Sequence, residues 1–271
     1  MQTPAWQHGV LDPHGPIAAA ERTIFLDATV IMLAVIVPVI VATLVFAWWF
    51  RAGNKFARRD PDWAYSGPVE VTVWSIPALV ILFLGGIAWI GSHDLDPARP
   101  LASRVAPLNV QVVSLDWKWL FIYPDLGVAS VNRLVVPAGT PLRLELTSAT
   151  VMNSFFVPQL GSQIYTMAGM TTLLHLQADQ AGTYPGLSAQ FSGAGFSDMR
   201  FDAVALPPAD FGQWLANARR ATEALDAAQY AALARPTVVA TPVVYSRVQP
   251  DLFRMIVADS AKPHPAAMAM E

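Results

Sequence analysis

Residues that bind metals or act as nucleophiles are scarce in this sequence. It contains no cysteine, which excludes disulfides, thiolate metal sites and cysteine nucleophiles. The five histidines have no mutual ligand spacing, so each is expected to be a surface or strand residue: His8, His14, His93, His175 and His264. Met268 and Met270 could give the C-terminus a metal-scavenging role, but a short disordered end is the favoured interpretation.

Two long apolar runs lie near the N-terminus of the sequence. Ala28 to Phe50 and Val71 to Ile90 contain no charged residue, and each is long enough to cross a hydrocarbon core of about 30 Å. Charged residues make up 14% of the chain, against about 25% in typical soluble proteins. The sequence therefore predicts a transmembrane helical hairpin over residues 24–91.

Glu70 stands at the start of the second run, where a carboxylate beside the membrane is costly unless it is useful or hydrated. One interpretation is a solvated acid at a helix start, favoured by the helix dipole. A functional role is the alternative, and both remain open at this point.

The charges that flank the two runs predict the orientation of the hairpin. The connection between them carries Arg51, Lys55, Arg58 and Arg59, and positively charged loops stay in the cytoplasm. Both termini are then extracytoplasmic, including an N-terminal segment over residues 1–23. The first twenty residues lack the apolar centre of a secretory signal, so the first helix is expected to serve as the insertion signal.

The part of the chain that follows the hairpin is predicted to form a β-rich domain over residues 107–206. Leu142, Leu144 and Leu146 alternate with polar residues, which is typical of a half-buried strand, and Gly/Pro turns separate several such strands. This pattern favours a β-sandwich or Greek-key barrel. Residues 207–263 have helical spacing, with a second short helix predicted from the N-cap Thr222 to Arg235, and residues 264–271 are expected to be a disordered tail.

Three segments of the chain resemble subunit II of respiratory haem–copper oxidases. They are the Asp-Trp-Lys-Trp stretch at 116–119, the segment Val151–Pro158 and the segment Tyr184–Met199. The resemblance implies an α+β membrane protein, in which a two-helix hairpin precedes a cupredoxin-like Greek-key β-sandwich and short C-terminal helices. Net charge is −3 and the basic residues are scattered, so no nucleic-acid partner is expected.

In the cytochrome c oxidase branch of this family, the last segment holds a binuclear copper site. It is built from two cysteines four apart, two histidines, a methionine and a glutamate carbonyl, a soft ligand set suited to copper. The matching positions in this chain are Asn153, Ser188, Gln190, Ser192, Phe196 and Met199. Only the methionine is retained, so the resemblance implies that the copper site is vestigial and that this chain binds no metal or other cofactor.

The resemblance is closest to the quinol oxidase branch of cytochrome bo type. It implies a non-catalytic subunit II that supports a haem- and copper-bearing subunit I in a bacterial inner membrane, with subunits III and IV as further partners. Ubiquinol would be oxidised through subunit I, oxygen reduced to water and protons pumped. Glu70 matches a family position associated with proton entry, and Trp117 and Trp119 are interpreted as packing or interface residues.

Two other interpretations compete with this one. A membrane-tethered cupredoxin that still binds copper would need ligands that this chain lacks, and a stand-alone membrane-anchored binding or assembly protein would not co-purify with a haem subunit. Quinol oxidase relatives commonly carry an N-terminal lipoprotein cysteine, and this sequence departs from that pattern because it contains no cysteine.

Overall fold

A computed structural model describes residues 9–58, 60–239 and 241–262. The chain forms two compact units, one over residues 22–94 and the other from the described residues up to Glu21 together with those from Leu95 onward. The predicted tail at 264–271, His8, His264 and Arg59 lie outside the described residues.

Two long helices, α1 (Pro16–Trp49) and α2 (Gly67–Asp94), account for both apolar runs. Each is long and apolar enough to cross a membrane, with mean hydropathy of 3.0 and 2.2 over the most apolar window. At the end of α1, Arg51 and Asn54 donate to the carbonyls of Trp48 and Trp49 at 2.8 and 2.6 Å. These bonds satisfy backbone acceptors that the helix itself leaves unpaired.

The other unit is a sandwich of two β-sheets. Its first sheet has the strand order β11-β3-β2-β1-β5-β8 and its second has the order β4-β10-β9-β6-β7. The strands are β1 (Leu108–Leu115), β2 (Lys118–Tyr123), β3 (Val128–Val131), β4 (Arg133–Pro137), β5 (Leu142–Ser148), β6 (Asn153–Phe156), β7 (Ile164–Thr166), β8 (Thr172–Leu176), β9 (Gly182–Ser188), β10 (Arg200–Leu206) and β11 (Val243–Tyr245).

Pairing within the sheets is mostly antiparallel. Two parallel pairs, β1 with β5 and β4 with β10, join strands that are distant in sequence. The strand predicted around Leu144 is β5, whose leucines are buried while Arg143 and Glu145 are partly exposed. The predicted class, with two long apolar helices, a cupredoxin-like sandwich and short C-terminal helices, is confirmed.

Aromatic rings fill the space between the two sheets. Trp119, Phe121, Phe155 and Phe201 are buried, with ring centroids 5.0–6.4 Å apart in the contacts between them. Phe201 lies opposite Gly186 on the neighbouring strand, and its ring occupies the space that a side chain at Gly186 would need. The core therefore depends on a glycine at that position.

After the second sheet the chain forms the helices α3 (Pro208–Ala218), α4 (Ala227–Leu233) and α5 (Leu252–Ser260). The predicted helix start at Thr222 is wrong, because α4 is capped by Asp226, whose carboxylate accepts from the Gln229 amide at 2.9 Å. Leu225 is held in a β-bridge instead. Between α4 and α5, β11 adds a strand to the first sheet at β3.

The C-terminal segment is fastened to the sandwich by two side chains. Lys118 is buried, and its Nζ donates to the Arg235 carbonyl at 2.8 Å and to the Thr237 hydroxyl at 2.9 Å. Asn132, which has a left-handed φ of 56°, donates from Nδ2 to the Val239 carbonyl at 2.8 Å. Residues 235–239 are thereby held against the start of β2 and the turn between β3 and β4.

The segment before α1 is attached to the sandwich as well. His14 donates its amide to the Gln159 carbonyl, and Asp179 donates its amide to the His14 carbonyl, both at 2.8 Å. Gly15 lies directly against the Gln177 carbonyl, with no room for a side chain. These contacts form an N-terminal clip over residues 12–15.

Candidate functional site

The candidate site is the loop between β9 and β10, which together with the last residue of β9 holds five of the six positions that match the copper site. The loop is closed at its base, where Ser188 donates its amide to the Met199 carbonyl at 3.2 Å. Ala189 donates its amide to the Ser154 carbonyl at 3.0 Å, so the start of the loop is also tied to β6. Both ends of the loop are therefore fixed by strands of the second sheet.

Ser188 and Asn153 are brought together in the buried part of the site. The Ser188 hydroxyl lies 3.1 Å from Asn153 Oδ1 and 3.2 Å from the Gln190 carbonyl, and it can donate to either acceptor. The same oxygen accepts from the Ser154 amide at 3.4 Å. This hydroxyl thus joins β6, β9 and the loop through hydrogen bonds.

Met199 is buried at the other end of the loop. Its thioether sulfur lies 3.8 Å from the Ser192 hydroxyl, within the range of a weak hydrogen bond. The ring of Phe196 packs edge-on against the exposed Phe191, with ring centroids 5.6 Å apart. The site residues therefore form two polar pairs and one aromatic pair.

Trp117 covers the glycines of this loop. Its indole N–H donates to the Ser192 carbonyl at 3.1 Å, and its ring fills the space beside Gly195. Trp117 adopts a left-handed φ of 63°, which is rare for a bulky residue. Such a conformation persists where the surrounding contacts hold the residue in place. Trp119, by contrast, faces the interior of the sandwich among the aromatic rings.

Across residues 9–58, 60–239 and 241–262, no group of three or more His, Cys, Asp or Glu side chains could hold a metal ion. The polar side-chain groups at the six positions that match the copper site are hydroxyls, amides and one thioether, all of which are neutral at physiological pH. Such groups can form hydrogen bonds but cannot supply the charged bridging ligands of a binuclear copper centre.

Glu70 belongs to the other compact unit and lies in the first turn of α2. Its Oε2 accepts a hydrogen bond from the Trp74 indole at 3.2 Å. A carboxylate in the first turn is favoured by the positive end of the helix dipole.

Lys118 is the residue of the Asp-Trp-Lys-Trp motif that sequence reasoning did not single out. Burial lowers the pKa of its ammonium, and the nearby Asp116 carboxylate opposes that shift. A charged residue within an otherwise apolar strand was the available signal, but its carbonyl partner lies 117 residues further along the chain.

Two family profiles match the chain. The periplasmic domain of cytochrome c oxidase subunit II matches residues 126–205, and the COX aromatic-rich motif matches residues 219–264. The second match covers α4, β11 and α5, the segment that Lys118 and Asn132 fasten.

Curated relatives match over most of the chain. The cytochrome bo(3) ubiquinol oxidase subunit 2 of Pseudomonas putida is 50% identical over 248 residues, which cover 92% of this chain and 79% of the relative. The ubiquinol oxidase subunit 2 of Acetobacter aceti is 48% identical, with 92% and 81% covered.

A solved structure, the periplasmic domain of cytochrome oxidase subunit II from Bradyrhizobium japonicum, is 22% identical and covers 44% of this chain and 98% of that one, with a TM-score of 0.41. Identity near one half over nine-tenths of the chain establishes the family. The chain belongs to the subunit 2 family of the cytochrome bo(3) ubiquinol oxidases.

Proposed function

We propose that this chain is the non-catalytic subunit 2 of a complex that oxidises ubiquinol, reduces oxygen to water and pumps protons. Its partner subunit I would hold the haems and copper and would oxidise the quinol, and subunits III and IV would complete the assembly. The observation that carries the proposal is the hydrogen-bonded loop that stands where a copper site would be.

The argument for copper loss is chemical. A serine hydroxyl stays protonated at neutral pH and cannot replace a bridging thiolate, and a phenylalanine ring offers no lone pair to a metal. Ser188 and Ser192 occupy the two thiolate positions, and Phe196 occupies a histidine position. The remaining thioether of Met199 is a weak ligand by itself and lies beside a hydroxyl.

Loss of this centre removes the point at which a soluble cytochrome would deliver electrons. The complex then needs a donor that reaches subunit I directly, which a lipid-soluble quinol can do. In this scheme the sandwich acts as a scaffold, with Trp117 and Trp119 as packing or interface residues. Glu70 is the proposed point of proton entry, at the cytoplasmic start of α2.

The proposed location is the bacterial inner membrane, which α1 and α2 would cross as a hairpin over residues 24–91. The basic residues after α1, Arg51, Lys55 and Arg58, support a cytoplasmic connection. Both termini, the sandwich over residues 107–206 and the C-terminal segment over 207–263 would then lie in the periplasm.

Oxygen consumption by the complex, purified through a tag on this chain, tests the proposal. Ubiquinol and reduced cytochrome c would be compared as donors, and haem and copper would be measured in the same sample. We expect haem, rapid oxidation of ubiquinol, no oxidation of cytochrome c and no copper beyond that of the haem–copper pair. Oxidation of cytochrome c, or two additional copper atoms, would contradict copper loss, and a sample without haem would indicate a stand-alone protein.

A further inference from the structure

The first two turns of α2 contain a side-chain pair that the proposed function does not explain. The Trp74 indole N–H donates to Glu70 Oε2 at 3.2 Å. Residues four apart lie on the same face of a helix, so the contact needs no distortion of the backbone. The intervening Thr72 donates its hydroxyl to the Pro68 carbonyl at 2.9 Å and is therefore engaged with the backbone.

The chemistry of an indole limits what Trp74 can do for this carboxylate. Indole nitrogen is a donor without an acceptor lone pair, so it can hold a carboxylate oxygen but cannot take up a proton and pass it on. A group that transfers protons must be held in position while one of its oxygens remains able to exchange protons. A single bond to Oε2 leaves Oε1 for that exchange.

We propose that Trp74 is the positioning residue for proton entry at Glu70. The indole restricts the rotamers of a carboxylate that would otherwise move freely at an exposed helix start, and it does so without competing for the proton. This inference rests on the proposed function of Glu70. It assigns the orientation of the Glu70 carboxylate to a residue of the same helix.

The competing explanation is that Trp74 only anchors the helix at the membrane interface, as tryptophans often do. Trp89, near the other end of the same helix, provides a matched control. It is exposed to a similar degree, 69% against 73% for Trp74, and its ring packs on His93 with centroids 4.4 Å apart. Replacement of either tryptophan by phenylalanine removes an indole N–H from α2 and retains an aromatic ring.

The test uses the assembled complex, with ubiquinol-driven oxygen consumption expressed per haem. Trp74→Phe is expected to lower kcat several-fold and to leave KM for ubiquinol unchanged, because quinol binding is not involved. Trp74→Gln, which restores an N–H donor without the ring, should recover most of the turnover. Trp89→Phe should retain wild-type turnover.

A double variant separates positioning from packing. Glu70→Gln alone should lower turnover, and Trp74→Phe added to it should cause no further loss, since groups that act as a unit are not additive. The proposal would be overturned if Trp74→Phe lowered turnover by the same factor in the Glu70→Gln complex as in wild type. It would also be overturned if the Trp74→Gln complex turned over no faster than Trp74→Phe.

The remaining outcomes distinguish this inference from the function on which it rests. If Glu70→Gln retains full turnover, the proposed proton entry at Glu70 fails. If Glu70→Gln lowers turnover while Trp74→Phe does not, only the positioning role of Trp74 fails. Haem content per chain, measured for each variant, separates loss of assembly from loss of turnover.

Discussion

Lys118 is buried between the sandwich and the C-terminal segment, where its ammonium has two neutral oxygen partners. An ammonium removed from water is unfavourable unless hydrogen bonds or an opposite charge compensate it. The Arg235 carbonyl and the Thr237 hydroxyl supply hydrogen bonds, while the Asp116 carboxylate supplies the charge without a direct contact in the described bonds. The Lys118 ammonium therefore joins β2 to the C-terminal segment, and its partners offset only part of the cost of removing its charge from water.

This predicts a pH-dependent stability that belongs to one residue. Because the pKa of folded Lys118 is lowered from its usual value of 10.5, the unfolded chain binds more protons just below that pH, and stability rises as pH increases there. We expect the unfolding temperature of wild type to rise relative to Lys118→Met as the pH increases toward 10.5. Methionine keeps the apolar stem, and the comparison cancels the titration of the tyrosines. A constant difference between the two proteins would contradict the prediction.

At the candidate site, residue types could be predicted from the sequence but contacts could not. The segment Tyr184–Met199 already indicated which positions to inspect, because its spacing resembles the family motif. The bond between Ser188 and Asn153 joins residues 35 apart, and the bond from Trp117 to the Ser192 carbonyl joins residues 75 apart. Such partners depend on the pairing of strands, which local patterns do not specify.

Among the elements, β9 and β10 show how one glycine determines the packing of a sheet. Gly186 lies opposite Phe201, and the ring covers the backbone at the place where a side chain would otherwise be. The aromatic ring shields an otherwise bare part of the strand, while the absence of a Cβ lets the two strands keep their register.

Gly186→Ala should therefore destabilise the protein by about 1–3 kcal/mol, because the added methyl group must displace the Phe201 ring from a filled core. Gly212, which is exposed inside α3 and has no atom within 4 Å of the place where a Cβ would lie, is the control. Gly212→Ala should stabilise by about 0.5–1 kcal/mol through helix propensity. Chemical unfolding of the purified chain measures both changes, and equal effects of the two substitutions would refute the explanation.

Elements with a strong period were predicted well, and short ones were not. The apolar runs formed α1 and α2, and the helical spacing predicted after residue 207 was realised first as α3. The start of α4 was misplaced because the bridge between Leu225 and Val248 overrides the capping preference of Thr222. Strand β11 has only three residues, and its pairing with β3 decides its conformation.

On the scale of the whole molecule, the N-terminal clip makes residues 12–15 part of the same compact unit as the sandwich, although both α1 and α2 separate them from it in sequence. The clip consists of backbone bonds to Gln159 and Asp179 and of the close approach of Gly15 to the Gln177 carbonyl. A carbonyl is part of the backbone and cannot rotate away as a side chain can.

Gly15→Ala should therefore open the clip and leave the interior of the sandwich intact. The expected result is faster hydrogen exchange at the amides of His14 and Asp179, measured by mass spectrometry, with unchanged exchange in β1 and β2. Gly53→Ala, in the connection after α1 where nothing lies within 4 Å, serves as the control. Unchanged exchange at the two clip amides in Gly15→Ala would show that the contact is not rigid.

The pairing of β11 with β3 also sets the order in which the protein can be completed. Strand β3 lies between β2 and β11, so its second edge finds its partner only when residues 243–245 arrive. Synthesis proceeds from the N-terminus, and a strand edge without a partner can pair with another copy of the chain. Nearly the whole chain must therefore be synthesised before the first sheet is closed, and any stalled or truncated product would carry an edge that favours aggregation.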